Sequence, residues 1–134
     1  MIRSYIVITL SLMMIAHAAS KEPSYTGTYK LKWTKKRGCI LKTQKLNDSK
    51  LRMQLSCQDD SNSGLALGVL DLNNNVAMFK REVSGLCEIS FAFKEKSVEV
   101  IQKGMDVYCG FGMGIYVDGN YLIQSNKTPK FDYK

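Results

Sequence analysis

Two cysteines bracket an alternating stretch, CILKTQKLNDSKLRMQLSC at residues 39–57, and this pattern constrains the fold more than any other. Asn47-Asp48-Ser49 is a turn signal. Folding the chain there sets residues whose numbers sum to 96 against each other. Cys39 then meets Cys57, Leu41 meets Leu55 and Thr43 meets Met53 on one face. Lys42, Gln44, Arg52 and Gln54 share the other. Side chains alternate across a strand, so one register separates core from solvent and brings two cysteines within bridging reach. The expectation is a disulfide-tied antiparallel hairpin with a wet outer face.

The same alternation recurs along the chain. In YTGTYKLKW, Tyr25, Gly27, Tyr29, Leu31 and Trp33 share a face. Asn73-Asn74-Asn75 joins Leu65–Leu72 to Val76–Lys80, two arms whose apolar residues lie on both faces and leave the core side open. Cys87, Ile89, Phe91 and Phe93 align, and Val98 and Val100 return opposite Phe93 and Phe91. In CGFGMGIYV the odd positions Cys109, Phe111, Met113, Ile115 and Val117 alternate with three glycines, which reads as a strand with one bare face. Asn120 to Gln124 is the last strand, and residues 126–134 read as a polar tail. Eight or nine strands with short turns and no helix predict an all-β chain. An up-and-down antiparallel β-barrel is the expected architecture, with a β-sandwich as the alternative.

Residues 1–20 read as a secretory signal. Arg3 gives the charged start, residues 5–16 are an apolar run too short for a bilayer anchor, and Ala16-His17-Ala18 suits a signal peptidase. Residues 21–134 would then form one domain, secreted or periplasmic, without a transmembrane segment. His17 is the only histidine and leaves with the signal, so catalysis based on a Ser-His or Cys-His pair is excluded from the mature chain. In an exported chain four cysteines imply two disulfides, and long separations without a CxxC pair argue against zinc. With Cys39–Cys57 set by register, Cys87–Cys109 remains.

Without Arg3 the chain keeps 18 basic and 12 acidic residues, a surplus that reads first as a contribution to solubility and second as suited to anionic partners such as lipid headgroups or cell-wall material. The lysines are spread over many strands, and the densest group, Lys35-Lys36-Arg37, is a turn. Nucleic acid is not the expected partner. Asp59-Asp60 sit in a polar loop and read as solvated. Asn47-Asp48-Ser49 is a glycosylation sequon on an exposed turn. The glycine run at 110, 112 and 114 is no phosphate loop, because no helix follows it. Neither cofactor nor metal is implied.

CILKTQKL, LRMQLSC, GVLDLNNNVAMF and CGFGMGIYVDGNY resemble a group of bacterial exported proteins whose ending runs Cys-Gly-Phe-Gly, Tyr, Asp-Gly-x-Tyr. Here these are Cys109, Gly110, Phe111, Gly112, Tyr116, Asp118, Gly119 and Tyr121. More distantly the pattern is similar to calycin barrels, the lipocalin-like and lysozyme-inhibitor-like proteins. That resemblance implies a small barrel in the same compartment. The inhibitors present a Ser-Gly-x-x-Tyr loop. Ser63-Gly64 and Ser84-Gly85 occur here, but Leu67 and Glu88 stand in the tyrosine position. The expected role is a non-enzymatic binding protein. An inhibitor of a cell-wall hydrolase and a carrier of a small apolar ligand are the alternatives. Tyr29, Trp33, Phe111, Tyr116 and Tyr121 are the candidate ligand-facing residues. Whether the barrel interior is filled or holds a ligand stays open, and so does the choice between a protein and a cell-wall partner.

Overall fold

A computed structural model describes residues 22–35 and 37–133. The expected signal segment, with His17, lies outside them. Eight strands follow in order: β1 Gly27–Lys32, β2 Gly38–Asn47, β3 Lys50–Gln58, β4 Ser63–Asn73, β5 Val76–Glu82, β6 Leu86–Phe93, β7 Ser97–Lys103 and β8 Gly119–Ser125. Each pairs antiparallel with the next, and β8 returns to β1, so the sheet closes into a barrel. Closure gives every strand a neighbour on both sides, although β4 and β5 meet over only three residues.

The hairpin that organises the chain has the expected register. Cys39 faces Cys57, Leu41 faces Leu55 and Thr43 faces Met53. Close to the turn the register slips by one, with Asn47 opposite Lys50, so Leu46 is the odd residue and stays exposed. The Asn47 side chain accepts the Ser49 N–H at 3.0 Å and holds the turn. Both disulfides are formed, Cys39–Cys57 and Cys87–Cys109. The β4–β5 turn needs left-handed backbone at two positions, and Asn74 and Asn75 supply it with φ of 50° and 66°. That turn settles the face left open in sequence: Ala66, Leu70, Leu72, Ala77 and Phe79 point inward.

Large side chains fill the interior. Tyr29, Leu41, Met53, Ile89, Phe91 and Tyr121 are all buried. Phe93 meets the Tyr25 and Tyr29 rings edge-on at 5.4 and 6.1 Å. Burial pushes the Tyr29 phenol above its ordinary range and the Tyr121 phenol further still. The Tyr121 hydroxyl donates to the Val117 carbonyl at 2.8 Å. A phenol whose folded-state value is raised leaves stability intact below the unfolded value, near pH 10, and erodes it above. The loss is about 1.4 kcal/mol per pH unit for each group that keeps its proton. Tyrosinate absorbance should therefore show Tyr29 and Tyr121 ionising only together with cooperative alkaline unfolding. Their ionisation at about pH 10 with intact near-ultraviolet dichroism would contradict this burial.

Three departures from the sequence expectation matter. First, residues 109–117 are not a strand. A single 3₁₀ turn, Asp106–Cys109, leads into an irregular segment, because Gly110 and Gly114 adopt φ of 88° and 83°, which no extended strand allows. This segment lies across one end of the barrel as a lid. Phe111, Ile115 and Val117 plug the mouth, while Met113 and Tyr116 face outward. Phe111 bridges to Gly64, where an added Cβ would stand only 2.5 Å from its ring. Second, the tail folds back over β2 and β3. The Gln54 amide donates to Asp132 at 2.7 Å and accepts the Asp132 N–H at 3.0 Å. Arg52 lies over the Phe131 and Tyr133 rings at 4.3 and 4.7 Å. Gln54, expected on the wet face, is buried by this strap.

Third, the barrel has a thin seam. β4 matches nine residues of β3 but only three of β5, Asp71–Asn73 against Val76–Met78. Leu72 donates to Ser49 across the β3 side, so the alternating amides of Leu67 and Val69 point toward β5, which has diverged there. Hydrogen exchange should run on the order of 1,000-fold faster at Leu67 and Val69 than at Ala66 and Gly68, which face β3. Equal protection at all four positions would show the seam to be closed in solution.

Candidate anion-binding face

Residues 27–58, the span of β1 to β3, carry nine lysines and arginines against one aspartate. Residues 59–134 carry eight against ten acids, so the basic surplus belongs to one sector of the barrel. Read along the chain, these lysines look scattered. The register collects them. Even-numbered residues of β1 to β3 point outward, and pairing sets Lys30 beside Ile40, Lys32 beside Gly38, Thr28 beside Lys42 and Gln44 beside Arg52. The loop after β1, closed by the Trp33 N–H on the Arg37 carbonyl at 3.1 Å, adds Lys35 and Arg37 at the lid end.

A groove of about 480 Å³ runs along this face, lined by Lys30, Lys32, Lys35 and Arg37, with Leu31, Ile40 and Leu65 as its apolar part and Asp132 of the tail as its one carboxylate. The Cys39–Cys57 bridge ties β2 to β3 in the wall of the groove, with Cα atoms 4.1 Å apart. Several neighbouring cations already have partners. Arg37 pairs with Asp60, Lys50 with Asp71, Lys45 with Asp48 at 3.6 Å and Lys42 with Asp132 at 3.8 Å. Among the described residues, no carboxylate lies within ion-pair distance of Lys30, Lys32 or Lys35. Folding thus holds three like charges together on the rim of a groove with an aliphatic floor.

The acidic loop between β3 and β4 is used locally. Asp59 accepts the Ser61 and Asn62 N–H groups at 2.8 and 2.6 Å, and these bonds hold its carboxyl below the usual carboxylate range. Asp60 is taken by Arg37. Asp106 accepts from the Gln102 amide at 3.1 Å and from the Gly114 N–H at 3.2 Å, bracing the lid. The groove itself presents cationic donors beside an apolar strip. Ammonium and guanidinium groups donate hydrogen bonds to an anion, and Ile40 and Leu65 accept an aliphatic portion.

No family model, curated protein or solved structure matches this chain. The functional reading therefore rests on the geometry of the site.

The five aromatic candidates do not assemble. Tyr29 and Tyr121 lie in the packed interior, and Phe111 is locked under the lid. Trp33 is partly buried at the barrel rim and packs on the core. Tyr116 alone is open to solvent, with its carbonyl 4.0 Å from the Cys39 sulfur at the lid end of β2. The lysines of the groove were missed as a group. The signal was present in sequence: nine cations against one acid over thirty-two residues, placed on three strands that pair in succession.

Proposed function

We propose that this chain is an exported binding module that holds an anionic partner on the outer face of β1 to β3. The carrying observation is the concentration around one groove of Lys30, Lys32 and Lys35, which have no ion-pair partner among the described residues, on a three-strand span that holds one aspartate, with Asp132 the single carboxylate in the groove lining and already paired with Lys42. Two disulfides and the signal-like start support a place outside the cytoplasm. The packed interior favours the outer face over a carrier role, and a basic face opposes docking on a basic lysozyme.

The reading is tested with medium-chain inorganic polyphosphate, using neutral dextran as control. Titration calorimetry at low salt should detect polyphosphate binding that weakens steeply as salt is raised, because bound cations release counterions. Dextran should not bind. No detectable heat with polyphosphate at low salt would overturn the proposal.

A further inference from the structure

Met113 and Tyr116 are the two most exposed large apolar side chains among the described residues, at 78 and 72 %. Single exposed apolar residues are ordinary on a protein surface. What sets these two apart is where they are held and how firmly. Neither lines the cationic groove, but the backbone of each is tied to its wall or the residue beside it. The Met113 carbonyl accepts the Asn62 side chain at 2.8 Å, next to Ser63 and Gly64 of the groove wall. The Tyr116 carbonyl is 4.0 Å from the sulfur of Cys39, another wall residue. Beneath them Phe111, Ile115 and Val117 are buried, and Cys109 is bonded to Cys87. A clamped lid thus keeps a methionine and a tyrosine in water near lysines that have no ion-pair partner among the described residues. The turns at the other end of the barrel, Asn47–Lys50, Asn73–Val76 and Lys94–Ser97, are built mainly of polar residues.

We infer that the β1–β3 face and the lid tip together seat the protein on an anionic lipid bilayer. Lys30, Lys32 and Lys35 lie at the level of the phosphates, and Met113 and Tyr116 enter the boundary between headgroups and acyl chains. Basic side chains beside protruding apolar ones are the two components of interfacial membrane binding. A tyrosine suits that depth because its ring is apolar and its hydroxyl is wet. A soluble polyanion would engage the lysines and leave the apolar pair in water, so the bilayer accounts for more of the surface. The inference rests on the anion-binding reading and adds the class of partner.

The test uses the mature chain with phosphatidylcholine vesicles, with and without phosphatidylglycerol. Cosedimentation should require phosphatidylglycerol. The double variant Met113→Ser with Tyr116→Ser should bind about tenfold more weakly with an unchanged melting temperature, because both side chains are exposed. Trp33 is the only tryptophan, so Trp33→Phe with Tyr116→Trp places a single indole at the lid tip. Brominated acyl chains should quench it and shift its emission to the blue. Full vesicle binding by the double serine variant, with an unquenched indole at position 116, would overturn insertion and leave charge-driven anion binding standing. Polyphosphate binding without vesicle binding would overturn the bilayer as partner and leave a soluble polyanion or an acidic protein. Binding to neither would defeat both readings.

Discussion

Replacing Lys30, Lys32 and Lys35 together by glutamate should lower polyphosphate affinity by about 100-fold or more and leave the melting temperature almost unchanged. Each basic side chain near an anionic surface contributes on the order of 1 kcal/mol, and reversal removes the attraction and adds repulsion. Three reversals therefore remove roughly 3–6 kcal/mol, and 2.8 kcal/mol already corresponds to about 100-fold. Stability should hold because no ion pair within the described residues is broken at these positions. Such surface changes usually stay within about 0.5 kcal/mol. The control is Lys94, Lys96 and Lys127 changed to glutamate, all exposed and outside the groove. It alters net charge equally, and its affinity should stay within about threefold. Equal losses in the two triple variants would mean that overall charge does the binding and that the face has no special part in it.

The contrast between these triples also separates what sequence shows from what it hides. Alternation in residues 39–57 carried the hairpin, because a one-residue slip would move Leu41, Leu55 and Met53 into water. Both disulfides followed from that register, and Phe91 opposite Val100 followed from the same logic. The cationic face follows from it too, once β1 is laid beside β2, but only pairing across strands turns separated lysines into one surface. The strap could not be read this way. Phe131-Asp132-Tyr133 alternates over too few residues to announce a partner, and Gln54 reads as an ordinary outward residue until the Asp132 pair covers it. Asn74 and Asn75 mark their turn plainly, yet β4 is apolar on both sides of its unpaired half, Leu65, Leu67 and Val69 outward and Ala66 and Leu70 inward. Alternation is lost there, so the core face was not legible.

The lid is the case where a correct pattern of burial came with the wrong backbone, and Phe111→Ala measures it. The ring is buried against Gly64 and plugs the barrel end, so truncation should cost about 3–5 kcal/mol, read as a lower urea midpoint with an unchanged slope. Met113→Ala, two residues on, should cost less than about 0.5 kcal/mol, because that side chain is 78 % exposed. In a strand, residues 111 and 113 would share a face and the two costs would be alike. The difference arises because Gly112–Ile115 is a turn, closed by the Ile115 N–H on the Gly112 carbonyl at 3.3 Å with Gly114 at a φ of 83°; Met113 sits at its corner, and burial resumes at Ile115 and Val117. Comparable losses in the two variants would restore the strand. A large loss at Phe111 alone supports a lid whose buried residues fix it to the barrel while its exposed ones are free to meet a surface. It also ties stability to function in one direction. The Phe111→Ala lid, loosened but still held by Cys109, should weaken vesicle binding through misplaced Met113 and Tyr116 and leave polyphosphate affinity within about threefold, since the lysines of β1 stand on a separate strand.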